Sequence, residues 1–229
     1  MKLSVIIPCF NAGQYLVQAV ASVREQQTSF PLTTEIIVID DGSTDHSVEQ
    51  LQGLDLVILH QDHQGASAAR NYGMKEATGD YLLFLDADDV LVSDAVESLY
   101  QGLLLHEGSV VALGMAEEFI SEELDAKTAA GLAKKDIPFG AFLSGCCCGN
   151  TEELLKVGFF DTSLKDGEAV DWLARLRNSK LQTAQLEVVT VHRRIHLTNT
   201  GRVRMQGQMQ DYATIIRRRL LAQRMSRKK

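Results

Sequence analysis

Short apolar runs recur at residues 3–7, 35–39, 56–59 and 81–85, and helix-compatible stretches lie between them. A run of four to eight apolar residues bounded by turn residues reads as a strand buried on both faces, and strands that alternate with helices imply parallel β-α-β units in one sheet. The first run stops at Pro8. Asn11-Ala12-Gly13 then supplies a turn before a helix carrying Leu16, Ala19, Val20 and Val23. The second run ends at Asp40-Asp41-Gly42-Ser43-Thr44-Asp45, where Ser43 or Thr44 can cap a helix that reaches Leu51. After the third, Gly65 opens a small-residue helix with Ala66, Ala68, Ala69, Arg70 and Asn71.

Polar clusters follow the first, second and fourth runs, at the strand ends where open α/β sheets bind ligands. The sharpest is Leu82-Leu83-Phe84-Leu85-Asp86-Ala87-Asp88-Asp89, an apolar strand that ends in three carboxylates. Asp86 and Asp88 suit a hard divalent cation, which takes carboxylates, water and substrate phosphates as oxygen ligands. On residue type alone the acids equally suit a helix cap. Asp40-Asp41 suits a capped turn as well as a binding loop, and Arg70 suits an ion pair with Asp86 or Asp88 as well as a contact to phosphate.

Further along, a helix after Ser93 carries Val96, Leu99 and Leu103, residues 109–113 suit a fifth strand, and residues 117–136 are polar, helix-prone and expected to be exposed. From Ile137 the character changes. A Gly- and Cys-rich loop runs to Gly149, then come a short helix with Leu154, Leu155 and Val157, the triplet Phe159-Phe160-Asp161, and one more strand at residues 187–191. The C-terminal end suits a helix whose stripe Met209, Tyr212, Ile216 and Leu220 is apolar and whose other face is basic. The expected division is a first half at 1–115, a smaller subdomain at 116–206 built onto its sheet and a basic amphipathic helix or tail at 207–229.

Composition excludes several classes. No stretch approaches the roughly 18 apolar residues of a membrane-spanning helix, and the N-terminal run is too short for a secretory signal, so the expected location is cytoplasmic. Cys9, Cys146, Cys147 and Cys148 have neither the spread of a disulfide framework nor zinc spacing, and Cys147 lacks the setting of a nucleophile elbow. Eleven of the 23 lysines and arginines lie from Arg193 onward, where Asp211 is the one acid. Such an end suits an anionic partner: a phosphorylated substrate, a membrane surface touched peripherally through Arg217, Arg218 and Arg219, or the acidic body of the chain itself. Its apolar stripe also suits a homodimer contact. No feature points to nucleic acid.

Together these residues resemble glycosyltransferase family 2, with its GT-A (Rossmann-like) α/β fold. The resemblance rests on Val5-Ile6-Ile7-Pro8-Cys9-Phe10-Asn11, on Asp40 to Asp45, on Gly65 to Gly73 and on Gly79-Asp80-Tyr81 through Asp89, four motifs in the family's order. A weaker match continues through Gly158 to Asp161, Gly167-Glu168 and Arg193-Arg194-Ile195-His196. The family resemblance implies an inverting transfer of one sugar from a nucleoside-diphosphate sugar, a UDP-sugar first among them, to the hydroxyl of a glycan, lipid-linked sugar or peptide. It places Pro8, Phe10 and Asn11 at the nucleoside rim, Asp40 and Asp41 at the base, and Arg70, Asp86, Ala87 and Asp88 at the diphosphate. Mg²⁺ or Mn²⁺ would sit on Asp86 and Asp88 with His196, and Arg193 and Arg194 would close as a lid. The Gln-x-x-Arg-Trp motif of the processive synthases is absent, which favours a single-sugar transferase.

The acceptor side departs from the pattern. The family's base is the Asp of a Glu-Asp pair, and here Ala169 occupies that position in Asp166-Gly167-Glu168-Ala169-Val170-Asp171-Trp172. Glu168 and Asp171 stand three apart on one helical face and both remain candidates. Asp171 is favoured, with Trp172 as a wall for a sugar ring. The competing reading is a nucleotide-sugar-binding protein that has lost catalysis.

Overall fold

The computed structural model describes residues 1–140, 144–199 and 211–218. Its organising element is a mixed sheet in which the parallel half comes first in the chain. β1 (Lys2–Cys9) lies between β2 (Thr33–Asp40) and β4 (Tyr81–Phe84), and β3 (Val57–His60) sits outside β2. Ile6 pairs with Ile37 on one side and Phe84 on the other, so the polar ends of β1, β2 and β4 fall along one edge. Pro8 is tolerated within β1 because its missing N–H would face β4, which has already ended at Phe84. Helices α1 (Gln14–Arg24) and α2 (Ala66–Glu76) complete the crossovers. The small face of α2 lets it approach closely: a Cβ on Gly73 would stand 2.5 Å from Ile6 Cγ2 and 2.8 Å from Ile39 Cδ1. That approach carries Arg70, one turn earlier, down to the sheet edge.

The second half of the chain extends the same sheet. After β5 (Val90–Leu91) and α3 (Ala95–Leu105) come β6 (Val111–Ile120), α4 (Ala126–Ala130), β7 (Phe139–Gly140), β8 (Cys147–Asn150), α5 (Thr151–Val157), α6 (Glu168–Asn178) and β9 (Thr183–Ile195). The strand order is β3-β2-β1-β4-β8-β6-β9-β5, with β7 on β6. β8 runs antiparallel to both β4 and β6, while the long β6–β9 pairing is parallel.

Several expectations change here. The strands at 109–113 and 187–191 are longer than expected, because charged residues at their ends pair across the ladder: Glu118 is in register with Arg193, and Arg193 Nη1 reaches Glu118 Oε1 at 2.7 Å. The polar stretch from 117 is therefore strand as far as Ile120 and helical only at α4. The Cys-rich loop is in part a strand, β8, buried between β4 and β6, and burial pushes the Cys146 and Cys148 thiols up to about 12. Residues 211–218 are helical, but Ile215 is the buried residue there and Ile216 is exposed. Met209, Leu220 and Arg219 lie outside the described residues.

Trp172 is 1% exposed and belongs to the core, not to a sugar-binding wall. Its ring stacks on Phe160 at 5.2 Å and meets Phe84 edge-on at 5.8 Å, and its Nε1–H donates to Gly158 O at 2.7 Å. An indole buried with its N–H satisfied anchors α6 to the end of β4.

Candidate active site

The acids that end β4 are tied to residues from far along the chain. Asp86 Oδ1 accepts from Arg70 Nη2 at 2.7 Å, and Arg70 Nη1 donates to Glu168 Oε1 at 3.0 Å. Arg70 is 5% exposed, with its guanidinium 5.4 Å from the Phe160 ring centroid. Burial alone would lower its proton affinity. The charges of Asp86 and Glu168 overcome that and raise it above the ordinary arginine value. One donor, Arg70 Nε, is buried without a partner among the described residues.

Asp88 is fixed from the other side. Its Oδ2 lies 2.9 Å from His196 Nε2 and 3.4 Å from Asn199 Nδ2, while His196 Nδ1 lies 2.9 Å from Thr198 Oγ1. Asn199 also accepts from His196 N at 2.6 Å and donates to Arg194 O at 3.0 Å, so one amide folds the turn that presents the imidazole. Among the described residues no group of three or more His, Cys, Asp and Glu side chains is arranged to hold a metal. The expected Asp86–Asp88–His196 ligand set is thus not assembled, because His196 spends its Nε2 on Asp88. Asp86 and Asp88, each with its side chain 31% exposed, are of the type by which Mg²⁺ is held, one or two carboxylates plus substrate phosphates.

Asp89 faces inward. Its Oδ1 accepts from Arg194 N at 2.9 Å, and burial above all, with the charges of Asp88 and Asp86, pushes its carboxyl well above the usual range. Arg194 is no lid. It is buried, donates from Nε to Asp88 O at 2.9 Å and from Nη1 to Ser121 Oγ at 3.2 Å, and also bonds Gln18. Its guanidinium is sandwiched 4.7 Å from the Tyr15 centroid and 4.6 Å from that of Phe119. Arg193 is held by Glu118. Arg194 therefore supports the Asp88–Asp89 turn, while Arg193 ties β9 to β6.

At the end of β2, Asp40 Oδ1 accepts from Ser43 N at 2.9 Å and Asp40 Oδ2 lies 3.0 Å from His60 Nδ1. Asp41 is 2% exposed and committed to the loop after β3: Oδ1 accepts from Gln64 N at 2.8 Å and Gln61 Nε2 at 2.6 Å, and Oδ2 accepts from Gly65 N at 2.8 Å. His63 Nδ1 lies 2.9 Å from the same Oδ2, and its ring stacks on Phe10 at 4.0 Å. Phe10 and His63 thus form an exposed pair beside this corner, and Asn11 ties the loop after β1 to the loop after β2 by accepting from Thr44 N at 2.8 Å. Asn11 adopts φ 51°, which asparagine tolerates better than most residues.

The two acceptor-side acids separate. Glu168, the first residue of α6, turns to Arg70. Asp171 pairs one turn on with Arg175 at 2.8 Å, and Arg175 is anchored on Val157 O and Phe159 O. The structure therefore brings Glu168, and not the favoured Asp171, to the Asp86 corner. Among the residues missed by sequence reading, Asn199 had a signal in its spacing after His196. Gln18, Ser121 and His63 had none, since their contacts cross the fold.

Fold and site together define an α/β glycosyltransferase domain of the GT-A type. Residues 4–151 match the family described as Glycosyl transferase family 2, and the chain belongs to that family. It is 36% identical over 115 residues to the glycosyltransferase GlyG of Streptococcus pneumoniae, covering 48% of this chain and 37% of that protein. It is 30% identical over 188 residues to a GalNAc(5)-diNAcBac-PP-undecaprenol beta-1,3-glucosyltransferase of Campylobacter jejuni, covering 75% of this chain and 59% of that protein. The crystal structure of S. aureus TarS 1-349 in complex with UDP-GlcNAc superposes with a TM-score of 0.66 at 23% identity, over 87% of this chain and 60% of that one, and the complex with UDP does so at 0.65 over 85% and 61%. The chain thus spans about three fifths or less of the length of these relatives. No helix among the described residues is long and apolar enough to cross a membrane.

Proposed function

We propose that this chain transfers one sugar, with inversion at the anomeric carbon, from a nucleoside-diphosphate sugar to an acceptor hydroxyl, residues 1–115 forming the donor half and 116–206 the acceptor side. The observation that carries this reading is the Arg70 bridge, in which one buried guanidinium holds Asp86 at the end of β4 and Glu168 at the start of α6. UDP is the nucleotide of first choice, since TarS, which shares the fold, binds UDP and UDP-GlcNAc.

Glu168 leaves Arg70 and takes the acceptor proton as the hydroxyl oxygen attacks; the bond from the anomeric carbon to the diphosphate breaks, and the nucleoside diphosphate departs. Arg70, released from one carboxylate and carrying an unpartnered Nε–H, presents positive charge to the departing diphosphate. Asp86 and Asp88 would hold a Mg²⁺ or Mn²⁺ ion, which neutralises charge on the diphosphate when bound. His196 and Asn199 orient Asp88 for that role.

A second reading, a nucleotide-sugar-binding protein without turnover, is favoured by Ala169 and by the pair itself, because a carboxylate held on a guanidinium must break that contact before it can accept a proton. The experiment is UDP release from UDP-GlcNAc and UDP-glucose with Mn²⁺, beside calorimetric UDP binding. Glu168→Gln should lose about 10²–10⁴-fold in turnover while keeping UDP affinity. Undiminished turnover in that variant removes Glu168 as the base, whereas wild-type binding with no turnover supports the second reading.

A further inference from the structure

The turn that delivers Glu168 is held by a side chain from the far end of the described chain. Three consecutive main-chain N–H groups, those of Lys165, Asp166 and Gly167, donate to one oxygen, Asp211 Oδ2, at 2.8, 2.8 and 3.1 Å. Asp211 lies in the helical stretch 211–218, and two further anchors lie along it: Ile215, 4% exposed, and Arg218, whose Nη1 reaches Asp161 Oδ2 at 2.5 Å. Gly167 makes this fit possible. A Cβ there would stand 2.7 Å from Asp211 Cβ and 3.2 Å from Ile215 Cδ1. Its φ of −119° suits any residue, so contact and not backbone conformation asks for glycine.

The consequence falls on α6. That helix begins at Glu168 with Gly167 as its N-cap and has no side-chain cap of its own. The first N–H groups of a helix have no intrahelical partner, and a local Ser, Asp or Asn ordinarily fixes the entry of the chain by accepting from them. Here the acceptor comes from another helix and grips the residues just before the first turn. Where Glu168 leaves the turn, and so whether it reaches Arg70, depends on that grip.

We infer that Asp211 is a positioning residue for sugar transfer: by gathering the N–H groups of residues 165–167 it sets the start of α6 so that Glu168 meets Arg70 and the acceptor proton. The inference rests on the role proposed for Glu168. Asp211 acts through the turn and touches no reacting atom.

The test uses the full chain with Asp211→Ala, Asp211→Asn and Gly167→Ala, plus Asp211→Ala combined with Glu168→Gln. Amide hydrogen exchange reads the turn without any donor. Exchange at 165–167 should speed up about tenfold or more in Asp211→Ala and Gly167→Ala, with β1 and β4 unchanged. With UDP-GlcNAc and Mn²⁺, kcat for UDP release should fall about tenfold or more, since a misplacement of about 1 Å can cost 10²-fold, while the Kd for UDP stays within about twofold. Asp211→Asn, which keeps an acceptor oxygen, should fall between. In the Glu168→Gln background Asp211→Ala should cost nothing more. Unchanged exchange at 165–167, wild-type turnover in Asp211→Ala, or a full penalty persisting without Glu168 would each overturn the inference. Full turnover in Glu168→Gln alone would instead refute the base, and the exchange data would still decide whether Asp211 holds the turn.

Discussion

Replacing Arg70 by Met probes the bridge most directly, because the stem is retained and only the guanidinium is lost. Two carboxylates then lose their partner. Hydrogen bonds to charged groups contribute about 1.5–3 kcal/mol each, but the Asp86 side chain is 31% exposed and water can replace much of its contact, so about 1 kcal/mol is assigned there. Glu168, 14% exposed, contributes about 2 kcal/mol, and the contact of the guanidinium with Phe160 about 0.5–1 kcal/mol. Removing the unpartnered Nε–H returns about 1 kcal/mol. The expected loss is about 3 kcal/mol, or ~6–12 °C in Tm for a chain of this size. Urea unfolding followed by the fluorescence of the single tryptophan, Trp172, measures it, since that ring stacks on Phe160 beneath Arg70. A double-mutant cycle with Glu168→Gln should give a coupling of about 1–2 kcal/mol. A loss below about 1 kcal/mol with no coupling would mean that the bridge does not form in solution, and the reasoning built on it would fail.

Other perturbations test other parts of the frame. Gly79→Ala should destabilise by about 1–3 kcal/mol, because its Cβ would stand 2.6 Å from Ser4 N in the central strand β1, and main chain cannot step aside; an unchanged urea midpoint would contradict this packing. Glu35 is pushed up by burial, yet Ser4 Oγ, Thr78 N and Thr78 Oγ1 hold its carboxylate below the ordinary range. A lowered folded value means stability present above the unfolded pKa and lost as pH falls through the folded one. Glu35→Gln should therefore cost about 1 kcal/mol at pH 7, and the gap to wild type should shrink below about pH 4; a gap independent of pH would refute the assignment.

Much of the parallel part of the sheet was legible in the sequence. The runs that became β1, β2, β3 and β4 are short and apolar, and the polar clusters after them had to fall at one sheet edge because parallel crossovers bring strand ends to the same side. Even the Arg70–Asp86 pairing stood among the alternatives, since a lone arginine on an alanine-rich helix face needs an acid when buried. The extent of β6 and β9 was not legible, because the residues that prolong them are charged and become strand only by pairing with each other.

What the amino-acid order determined by itself is local and periodic: apolar runs, turn residues, and acids placed directly after a strand. Only the tertiary structure decided direction. Glu168 and Asp171 are three residues apart on one helix, and the one local difference is that Asp171 has an arginine one turn on, Arg175. One meets a guanidinium delivered by the close approach of α2, and the other meets its own neighbour Arg175. Trp172 went inward because Phe84 and Phe160 offered it a stacked core, and Arg194 became a buried strut because Tyr15 and Phe119 enclose it. Apart from the local Asp171–Arg175 pair, each outcome depends on a partner distant in sequence, and the energy of such a contact exists only once the sheet has brought both ends together.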